Sequence, residues 1–328
     1  MSTGLLHIVT RRIFAHGDSG MYHFIINPNS SSGKGIRYWH IVKKELESKN
    51  IAYAAYITRH EGHAILLAEQ ICRSNNGIKN IIVLGGDGTV NEVINGIDDF
   101  SQVLLGYIPA GSSNDLAKSL NISKDPVKAL GNILKPTHFK YLDLGEITFK
   151  HAEVTSRRFA CSSGIGYDAD VCARVQKSPW KKRLNKIKAG KFVYLAIAIK
   201  QLLAADRCDA TVILDGIRKE SYKKVLLISS MIHRFEGGGL AMAPHADPCD
   251  GKLSITLVHG MSRIRSLILL PTLLTGKHIN FRGVEALNCS QIEICMENSS
   301  CVHTDGEVPA SDTHIIVKCL PSQIRMII

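Results

Sequence analysis

The sequence predicts a two-domain protein in which an α/β domain with a parallel sheet precedes a β-rich domain. The length of 328 residues suits two domains of ordinary size. In the first third, short apolar runs alternate with segments of helical period, as in a parallel sheet covered by helices. After about Tyr141 the chain changes to many β-branched stretches, which are typical of a mostly antiparallel sheet.

The first domain begins with strand, helix, strand, helix and strand. The apolar runs are Tyr22–Ile26, Ile51–Ile57 and Ile81–Leu84, and the helical segments are Ile36–Ser48 and Gly62–Arg73. Thr89 and Glu92 form a T-x-x-E capping box directly after a glycine cluster, so the next helix is predicted to begin at Thr89. A further apolar run, Val103–Ile108, leads into a second glycine-containing turn with a helical pattern behind it.

In the second domain, six β-rich runs are interrupted by three segments of helical period. The runs are Phe159–Cys161, Ala210–Leu214, Val225–Ser229, Leu253–Val258, Ile292–Cys295 and Ile315–Val317. The helical segments are Tyr167–Val175, Ala189–Ala205 and Ser262–Leu274. No apolar run reaches the ~20 residues that a spanning helix needs, so no transmembrane segment is predicted.

The net charge and the cysteine pattern restrict the kinds of binding partner and the cellular compartment that the sequence predicts. A net charge of +11 indicates an anionic partner, either nucleic acid, nucleotide phosphates or an anionic membrane surface. No zinc-finger spacing, RNP-type aromatic motif or arginine-rich arm favours nucleic acid, which is therefore not an expected partner. Nine cysteines without a CxxC pair, and an N-terminus unlike a signal peptide, predict a cytoplasmic protein.

The stretch L-G-G-D-G-T-V-N-E, Leu84–Glu92, predicts a turn that holds polyphosphate. Gly85 and Gly86 allow close backbone approach, and the N–H groups of the following helix would point at the anion. Asp87 would be repelled by that phosphate, so we expect it to bind Mg²⁺ or to order a metal-bound water. The alternative is a tight strand-to-helix turn in which Asp87 is a local cap.

Two other loops follow predicted strands of the first domain. Ile26–Gly35 lacks the Walker A spacing, but four of its residues could cradle phosphates: Asn27, Ser32, Gly33 and Lys34. The alternative for this loop is a Ser/Gly-rich surface segment. In Ile108–Ala117, Asn114 and Asp115 are candidate nucleotide or metal contacts, although an acid at Asp115 also suits a helix N-terminus.

Far along the chain, V-H-T-D-G-E-V-P places two acids on either side of one glycine. Asp305 and Glu307 lie between two β-like runs. The pair is either the tip of a hairpin or an acid pair of an active site.

Together and in this order, these stretches resemble the diacylglycerol kinase catalytic-domain family of lipid kinases, in its soluble bacterial form. The matching positions are Asn27-Pro28 with Ser32-Gly33, Gly85–Val93, Pro109–Asp115, Gly164–Val171, Ala243–Ile255 and Asp305–Glu307. The resemblance runs from Tyr22 to the C-terminus. G-G-D-G-T alone also occurs in NAD kinases and phosphofructokinases, so the ordered set carries the resemblance.

The resemblance implies a fold and a domain division. The N-terminal α/β domain would have the NAD kinase and phosphofructokinase architecture, the C-terminal domain would be a β-rich sandwich, and the active site would lie in the cleft between them. Residues 1–21 would be an extension, 22–140 the nucleotide-binding domain and 141–317 the lipid-substrate domain. If the last strand returns to the first domain, 318–328 complete that domain.

The resemblance also implies roles for individual residues. The ATP site would comprise Asn27, Ser32, Gly33, Gly85, Gly86, Asp87, Gly88, Thr89, Asn114 and Asp115. Asp305 would be the general base that accepts the proton of the lipid hydroxyl, and Glu307 would support Mg²⁺–ATP. Asp250 matches a position that in some members helps to hold a structural metal, and Asp87 keeps the metal contact expected from its own motif.

The expected activity is ATP- and Mg²⁺-dependent phosphorylation of a lipid hydroxyl, with diacylglycerol as the leading acceptor and phosphatidic acid as the product. One alternative is an NAD kinase, although G-Y-I-P-A-G-S-S-N-D stands where such an enzyme should have a G-x-L-G-F-L-like stretch. Another is a lipid-binding pseudokinase, which would be expected to lack the acids that this chain retains.

A lipid kinase without a spanning helix must meet its substrate at a membrane surface. Basic residues around Trp180 lie beside the apolar segment Phe192–Leu203, which predicts peripheral attachment to an anionic membrane. The alternative is a solvated basic helix face. A homodimer is compatible with the sequence, which does not specify the oligomeric state.

Overall fold

The computed structural model describes residues 9–11, 21–73, 77–177 and 198–328. The chain divides into two units, one formed by Met1–Leu142 with Gln323–Ile328 and the other by Asp143–Ser322. The first unit is an α/β sheet and the second is rich in antiparallel strands, so the predicted fold class is confirmed.

The strands of the first unit form a mostly parallel sheet. They are β1 (Val9–Arg11), β2 (Tyr22–Ile26), β3 (Tyr53–Ile57), β4 (Lys79–Gly85) and β5 (Val103–Pro109). The spatial order is β1, β3, β2, β4, β5; all neighbours are parallel except β1, which pairs antiparallel with β3. Beyond β5, the end of the last strand adds in parallel through Arg325 and Met326.

This strand order creates a switch point between β2 and β4. The chain leaves β2 toward β3 on one side and comes back to β4 on the other. In open α/β sheets, ligands bind in the crevice at the carboxyl ends of strands where the order reverses. The loops that follow β2 and β4 are two of the predicted phosphate loops, and both start at this edge.

The helices of the first unit are α1 (Ser30–Ser48), α2 (His63–Arg73), α3 (Asp87–Asn95), α4 (Asp115–Ser119) and α5 (Pro126–Leu134). Helix α3 begins at Asp87, so the predicted start at Thr89 is wrong. The Thr89–Glu92 capping box does not form at the start of α3, because the Glu92 carboxylate accepts a hydrogen bond from the N–H of Ala64 at 2.9 Å. Glu92 therefore caps the first turn of α2, a different helix.

The second unit is built on antiparallel pairs. Its strands are β6 (Phe139–Phe149, which starts in the first unit), β7 (Ser156–Phe159), β8 (Ser162–Gly166), β9 (Cys208–Leu214), β10 (Arg218–Met231), β11 (Leu253–His259), β12 (Val284–Cys289), β13 (Gln291–Thr304) and β14 (Glu307–Ile327, which ends in the first unit). The central order is β13, β8, β10, β11, β12, with β9 joined to β10 and β13. Buried side chains from these strands, such as Ile165, Ile228 and Val302, form one hydrophobic core.

Three α-helical segments of the second unit are described: α6 (Tyr167–Lys177), α7 (residues 198–204) and α8 (Arg263–Thr272). A 3-10 helix, Lys277–Asn280, follows α8. Most of the predicted helix Ala189–Ala205, and the basic cluster around Trp180, lie outside the described residues. Among the described residues, no helix combines the length and apolarity needed to cross a bilayer.

Candidate functional site

The loop after β4 places a helix N-terminus at the carboxyl edge of the sheet. Gly86 is the N-cap of α3, has an extended backbone (φ −107°, ψ −176°) and supplies no side-chain cap. Asp87, Gly88 and Thr89 are the first three residues of the helix. Helix N-termini attract anions through their N–H groups and dipole, so this terminus fits a phosphate group.

The loops after β4 and β5 approach each other through two glycines. A Cβ on Gly111 would lie 2.6 Å from the Cα of Gly86, and 2.7 Å from the side-chain oxygen of Asn114. The carbonyl of Gly85 accepts hydrogen bonds from the N–H groups of Ala110 at 2.6 Å and of Gly111 at 3.1 Å. The two loops are thus joined backbone to backbone, a packing that leaves no room for a side chain at Gly111.

Asp87 links the same two loops through its carboxylate. Its Oδ2 accepts the N–H of Asp115 at 2.9 Å, and its Oδ1 lies 3.4 Å from the N–H of Leu116. Asp87 is therefore a cap, as the alternative interpretation expected, but it caps α4 rather than its own turn. Its contact with a metal stays a prediction.

Asn114 is held beside this cap in a left-handed conformation (φ 55°, ψ 51°). Its side-chain amide donates to the carbonyl of Gly111 at 2.9 Å, and the Tyr107 hydroxyl donates to its side-chain oxygen at 3.2 Å. Asn114 is buried, as is Asp115, the first residue of α4. Both residues thus set the geometry of the loop for which the sequence predicts nucleotide contacts.

The loop after β2 is tied to the glycine-rich turn by one side-chain contact. The amide of Asn27 donates to the Thr89 hydroxyl at 3.1 Å. Ser31, Ser32 and Gly33 follow with positive φ values of 45°, 57° and 89°, so regular helix in α1 begins only after them. Consecutive residues with such backbone angles can form a concave, anion-binding arrangement of N–H groups. Asn27, Ser32 and Gly33 thus lie on a defined backbone turn.

The D-G-E motif of the second unit is the turn of a two-residue hairpin. Thr304 pairs with Glu307, and Asp305 and Gly306 at the tip have φ values of 49° and 84°. Positive φ at both central residues is the requirement of a type I′ turn, which favours Asp-Gly. The hairpin alternative is therefore confirmed, and it fixes both acids on a rigid β-turn.

The carboxylate of Asp305 is held by the backbone that precedes β8. It accepts hydrogen bonds from the N–H groups of Ala160 at 2.7 Å, Cys161 at 2.7 Å and Ser162 at 3.0 Å. Three such donors stabilise an ionised carboxylate and fix its orientation. Glu307 is half-buried at the first position of β14.

Beside this turn lies a buried cluster that the sequence analysis missed. His303 Nε2 lies 3.4 Å from Asp168 Oδ2 and 3.3 Å from Glu236 Oε1. Burial alone would lower the pKa of His303, but the facing Glu236 carboxylate outweighs it and the pKa is raised well above its usual value. Burial raises the pKa of Asp168. No local pattern joins residues this far apart in the chain.

The three converging atoms of this cluster could hold a metal ion. The raised pKa of His303 favours a charged ring, whose proton on Nε2 faces the two carboxylates at the position where a metal would bond. The cluster therefore suits a proton held between His303 and the two acids. The N–H of Gly306 lies 3.4 Å from His303 Nδ1, so the cluster adjoins the D-G-E turn.

Asp250, the other predicted metal residue, is exposed in a tight turn. Its Oδ1 accepts the N–H of Lys252 at 3.0 Å, and the next residue, Gly251, donates to the buried Asp143 at 2.7 Å. Among the described residues, Asp250 and Asp87 belong to neither of the two groups whose ligand atoms converge on one point. The role of Asp250 in holding a metal also stays a prediction.

The predicted site residues thus fall into two sets. In the first unit, contacts join Asn27 to Thr89, and the Gly85–Asp87 turn to Gly111, Asn114 and Asp115. In the second unit, Asp305 and Glu307 share one hairpin, whereas Asp250 lies in a separate turn.

Two families of domains match the chain. Residues 21–147 match the diacylglycerol kinase catalytic domain, and residues 161–328 match the YegS C-terminal NAD kinase beta sandwich-like domain. The second match alone covers more than half of the chain.

Relatives and solved structures agree with these matches. The chain is 28% identical over 307 residues to the "Putative lipid kinase YtlR" of Bacillus subtilis, covering 93% of this chain and 98% of that protein. It is 26% identical over 292 residues to a diacylglycerol kinase of Mycobacterium tuberculosis, covering 86% and 87%. In fold it resembles the crystal structure of a "putative diacylglycerol kinase" from Bacillus anthracis, with a TM-score of 0.71 at 21% identity and coverage of 94% and 96%.

Proposed function

Because the chain belongs to the lipid kinase family that joins a diacylglycerol kinase catalytic domain to a YegS-type C-terminal domain, we propose that it phosphorylates diacylglycerol. In this proposal, the γ-phosphate of ATP is transferred to the free hydroxyl of the lipid, and the product is phosphatidic acid. The activity would belong to phospholipid metabolism and would take place at a membrane surface.

The observation that supports the nucleotide half of the proposal is the glycine contact between the loops after β4 and β5. Gly86 and Gly111 bring two loops together without side chains between them, next to the N-terminus of α3, whose N-cap Gly86 supplies no side chain. This arrangement suits a polyphosphate, because backbone N–H groups and the helix dipole can approach the anion closely. In this proposal Asp87 and Asp115, whose loops are joined by a hydrogen bond, would interact with Mg²⁺ at this edge.

Phosphoryl transfer needs positioning and charge neutralisation more than covalent chemistry from the protein. Asp87 and Asp115 would hold Mg²⁺, which when bound would neutralise the charge that develops on the transferred phosphate. In the proposed reaction the Asp305 carboxylate, oriented by the N–H groups of residues 160–162, accepts the proton of the lipid hydroxyl. Glu307, two residues further on the same hairpin, supports the Mg²⁺–ATP complex.

The test is transfer of labelled γ-phosphate from Mg²⁺–ATP to diacylglycerol, phosphatidylglycerol and a sphingoid base in mixed micelles, with NAD⁺ as a soluble acceptor. We expect label in diacylglycerol, and its loss in Glu307→Gln. A thermal melt of that variant shows whether the fold is intact. Label only in another lipid would overturn the choice of acceptor, and label only in NAD⁺ would overturn the lipid kinase proposal.

A further inference from the structure

Helix α8 of the second unit exposes an apolar stripe. The exposed fractions are 72% for Ile264 and 56% for Ile268, and Pro271 is exposed as well. Spacings of four and three residues put these side chains on one face of the helix. Directly after the helix, Leu274 is 66% exposed. Single exposed apolar residues are ordinary, but a stripe along a helix indicates a surface that is covered in use.

The charged residues of α8 and of the chain on either side of it are all basic. Arg263 and Arg265 are exposed and flank Ile264, about 100° to either side on the helix. The chain contains no Asp or Glu between Asp250 and Glu285. That stretch carries five basic residues: Lys252, Arg263, Arg265, Lys277 and Arg282.

The opposite face of α8 is fixed to the second unit. Ser266 and Leu269 are buried, and Leu269 shares one hydrophobic cluster with Leu202 of α7. The Arg207 guanidinium donates to the Ser266 hydroxyl at 3.2 Å. The helix is therefore held with its apolar stripe toward solvent.

We propose that this surface docks onto an anionic lipid bilayer. We call it the α8 surface; it consists of Arg263, Ile264, Arg265, Ile268, Pro271 and Leu274. A helix of ten residues is about 15 Å long and lies in the plane of the interface, with its apolar side chains among the acyl chains and the arginines at the phosphates. The inference rests on the proposed function, which places the substrate in the membrane.

Charge complementarity favours a lipid bilayer as the partner of the α8 surface. An apolar stripe flanked by arginines matches the apolar interior and anionic headgroups of a membrane. The α8 surface lies outside the basic segment near Trp180 from which the sequence predicted membrane attachment.

The test is co-sedimentation of the full chain with large unilamellar vesicles, with no nucleotide present. We expect binding to vesicles containing phosphatidylglycerol and much weaker binding to pure phosphatidylcholine. Arg263→Gln with Arg265→Gln should weaken binding about 25-fold, roughly fivefold for each arginine. Ile264→Ser with Ile268→Ser should weaken it at least about tenfold.

Matched controls come from the turn between β9 and β10. Ile217 is 89% exposed and Lys219 is exposed on the neighbouring strand, so Ile217→Ser with Lys219→Gln removes one exposed isoleucine and one exposed basic residue elsewhere. This control should bind vesicles like the wild type. Equal loss in the control and the α8 variants would overturn the proposal, as would absence of wild-type binding to anionic vesicles.

A fluorescence measurement keeps the proposal testable if the serine variants are unstable. After subtraction of the wild-type signal, which comes from Trp39 and Trp180, Ile268→Trp should show blue-shifted emission and quenching by brominated lipids when anionic vesicles are added, and Ile217→Trp should show neither. No change for Ile268→Trp would overturn the docking. Because vesicle binding is measured without ATP, a protein that binds through α8 but phosphorylates no lipid would contradict only the proposed function.

Discussion

Asp87 and Asp115 are joined across two loops by a hydrogen bond of 2.9 Å from the N–H of Asp115 to the carboxylate of Asp87. The acid in the glycine-rich motif therefore stabilises the start of another helix, α4. A loss of activity after mutation of Asp87 can come from the loss of its charge or from the loss of this cap. The two causes can be separated, because asparagine keeps an oxygen acceptor and loses the charge.

We expect the free energy of unfolding of Asp87→Asn to lie within about 1 kcal/mol of the wild-type value, because the amide oxygen can still accept the N–H of Asp115. Lipid phosphorylation should fall about 100-fold or more if the charge is needed near Mg²⁺–ATP. Asp87→Ala should lose activity and about 1–2 kcal/mol of stability. Urea unfolding and initial rates measure both effects; full activity of the asparagine variant would show that only the cap is required.

Gly111→Ala should destabilise the first unit and abolish ATP binding. Its Cβ would lie 2.6 Å from the Cα of Gly86, so one of the two loops must move, at a cost of about 1–3 kcal/mol. A Cβ on Gly131 in α5 would instead meet none of the described residues within 4 Å. Gly131→Ala should therefore stabilise the protein by about 0.5–1 kcal/mol and leave ATP binding unchanged. Calorimetric titration with ATP and thermal melts distinguish the pair.

Asp305→Ala should lower the free energy of unfolding by at least about 2 kcal/mol, because three N–H groups of residues 160–162 lose their acceptor. Asp305→Asn keeps one oxygen and should lose less. Glu307→Gln should reduce activity with little change in stability. Chemical unfolding of all three variants tests this order; equal stability of Asp305→Ala and wild type would mean that these hydrogen bonds do not hold the hairpin.

Acidification should destabilise the first unit through His23. Burial, with a smaller contribution from Lys79, lowers the pKa of this imidazole from 6.5 to about 4. The unfolded chain therefore binds a proton at a higher pH than the folded chain does, and stability falls as the pH drops from about 6.5 to 4, by up to about 3 kcal/mol. The comparison is the unfolding free energy of wild type and His23→Gln across this range. Parallel pH profiles would contradict the assignment.

Much of the first unit could be predicted because its signals are local. Strand β2 has the predicted bounds Tyr22–Ile26, and the loops at the switch point are marked by glycine and asparagine within a few residues. The helix starts were less predictable. Thr89 and Glu92 have the capping-box spacing, but Glu92 reaches α2 instead, because the tertiary contact with Ala64 was not visible in the local pattern.

Strand β8, Ser162–Gly166, was missed for a different reason. Its glycines and serines have low strand propensity. The structure explains Gly164, since a Cβ there would lie 1.9 Å from Asp168 Oδ2. The His303 cluster was equally hidden, because it joins one residue from each of three distant segments. Contacts of this kind are created by the fold, so no residue spacing in the sequence predicts them.

Strand β14 has a consequence for folding during synthesis. It begins at the D-G-E turn and ends by pairing Arg325 and Met326 with Leu104 and Leu105 of β5. Residues 143–322 leave the ribosome before that partner exists, so a nascent chain presents β5 as an open sheet edge throughout that time. Open apolar edges recruit other strands. We therefore expect this protein to aggregate more, and to need chaperones more, when the synthesis of β14 is slower.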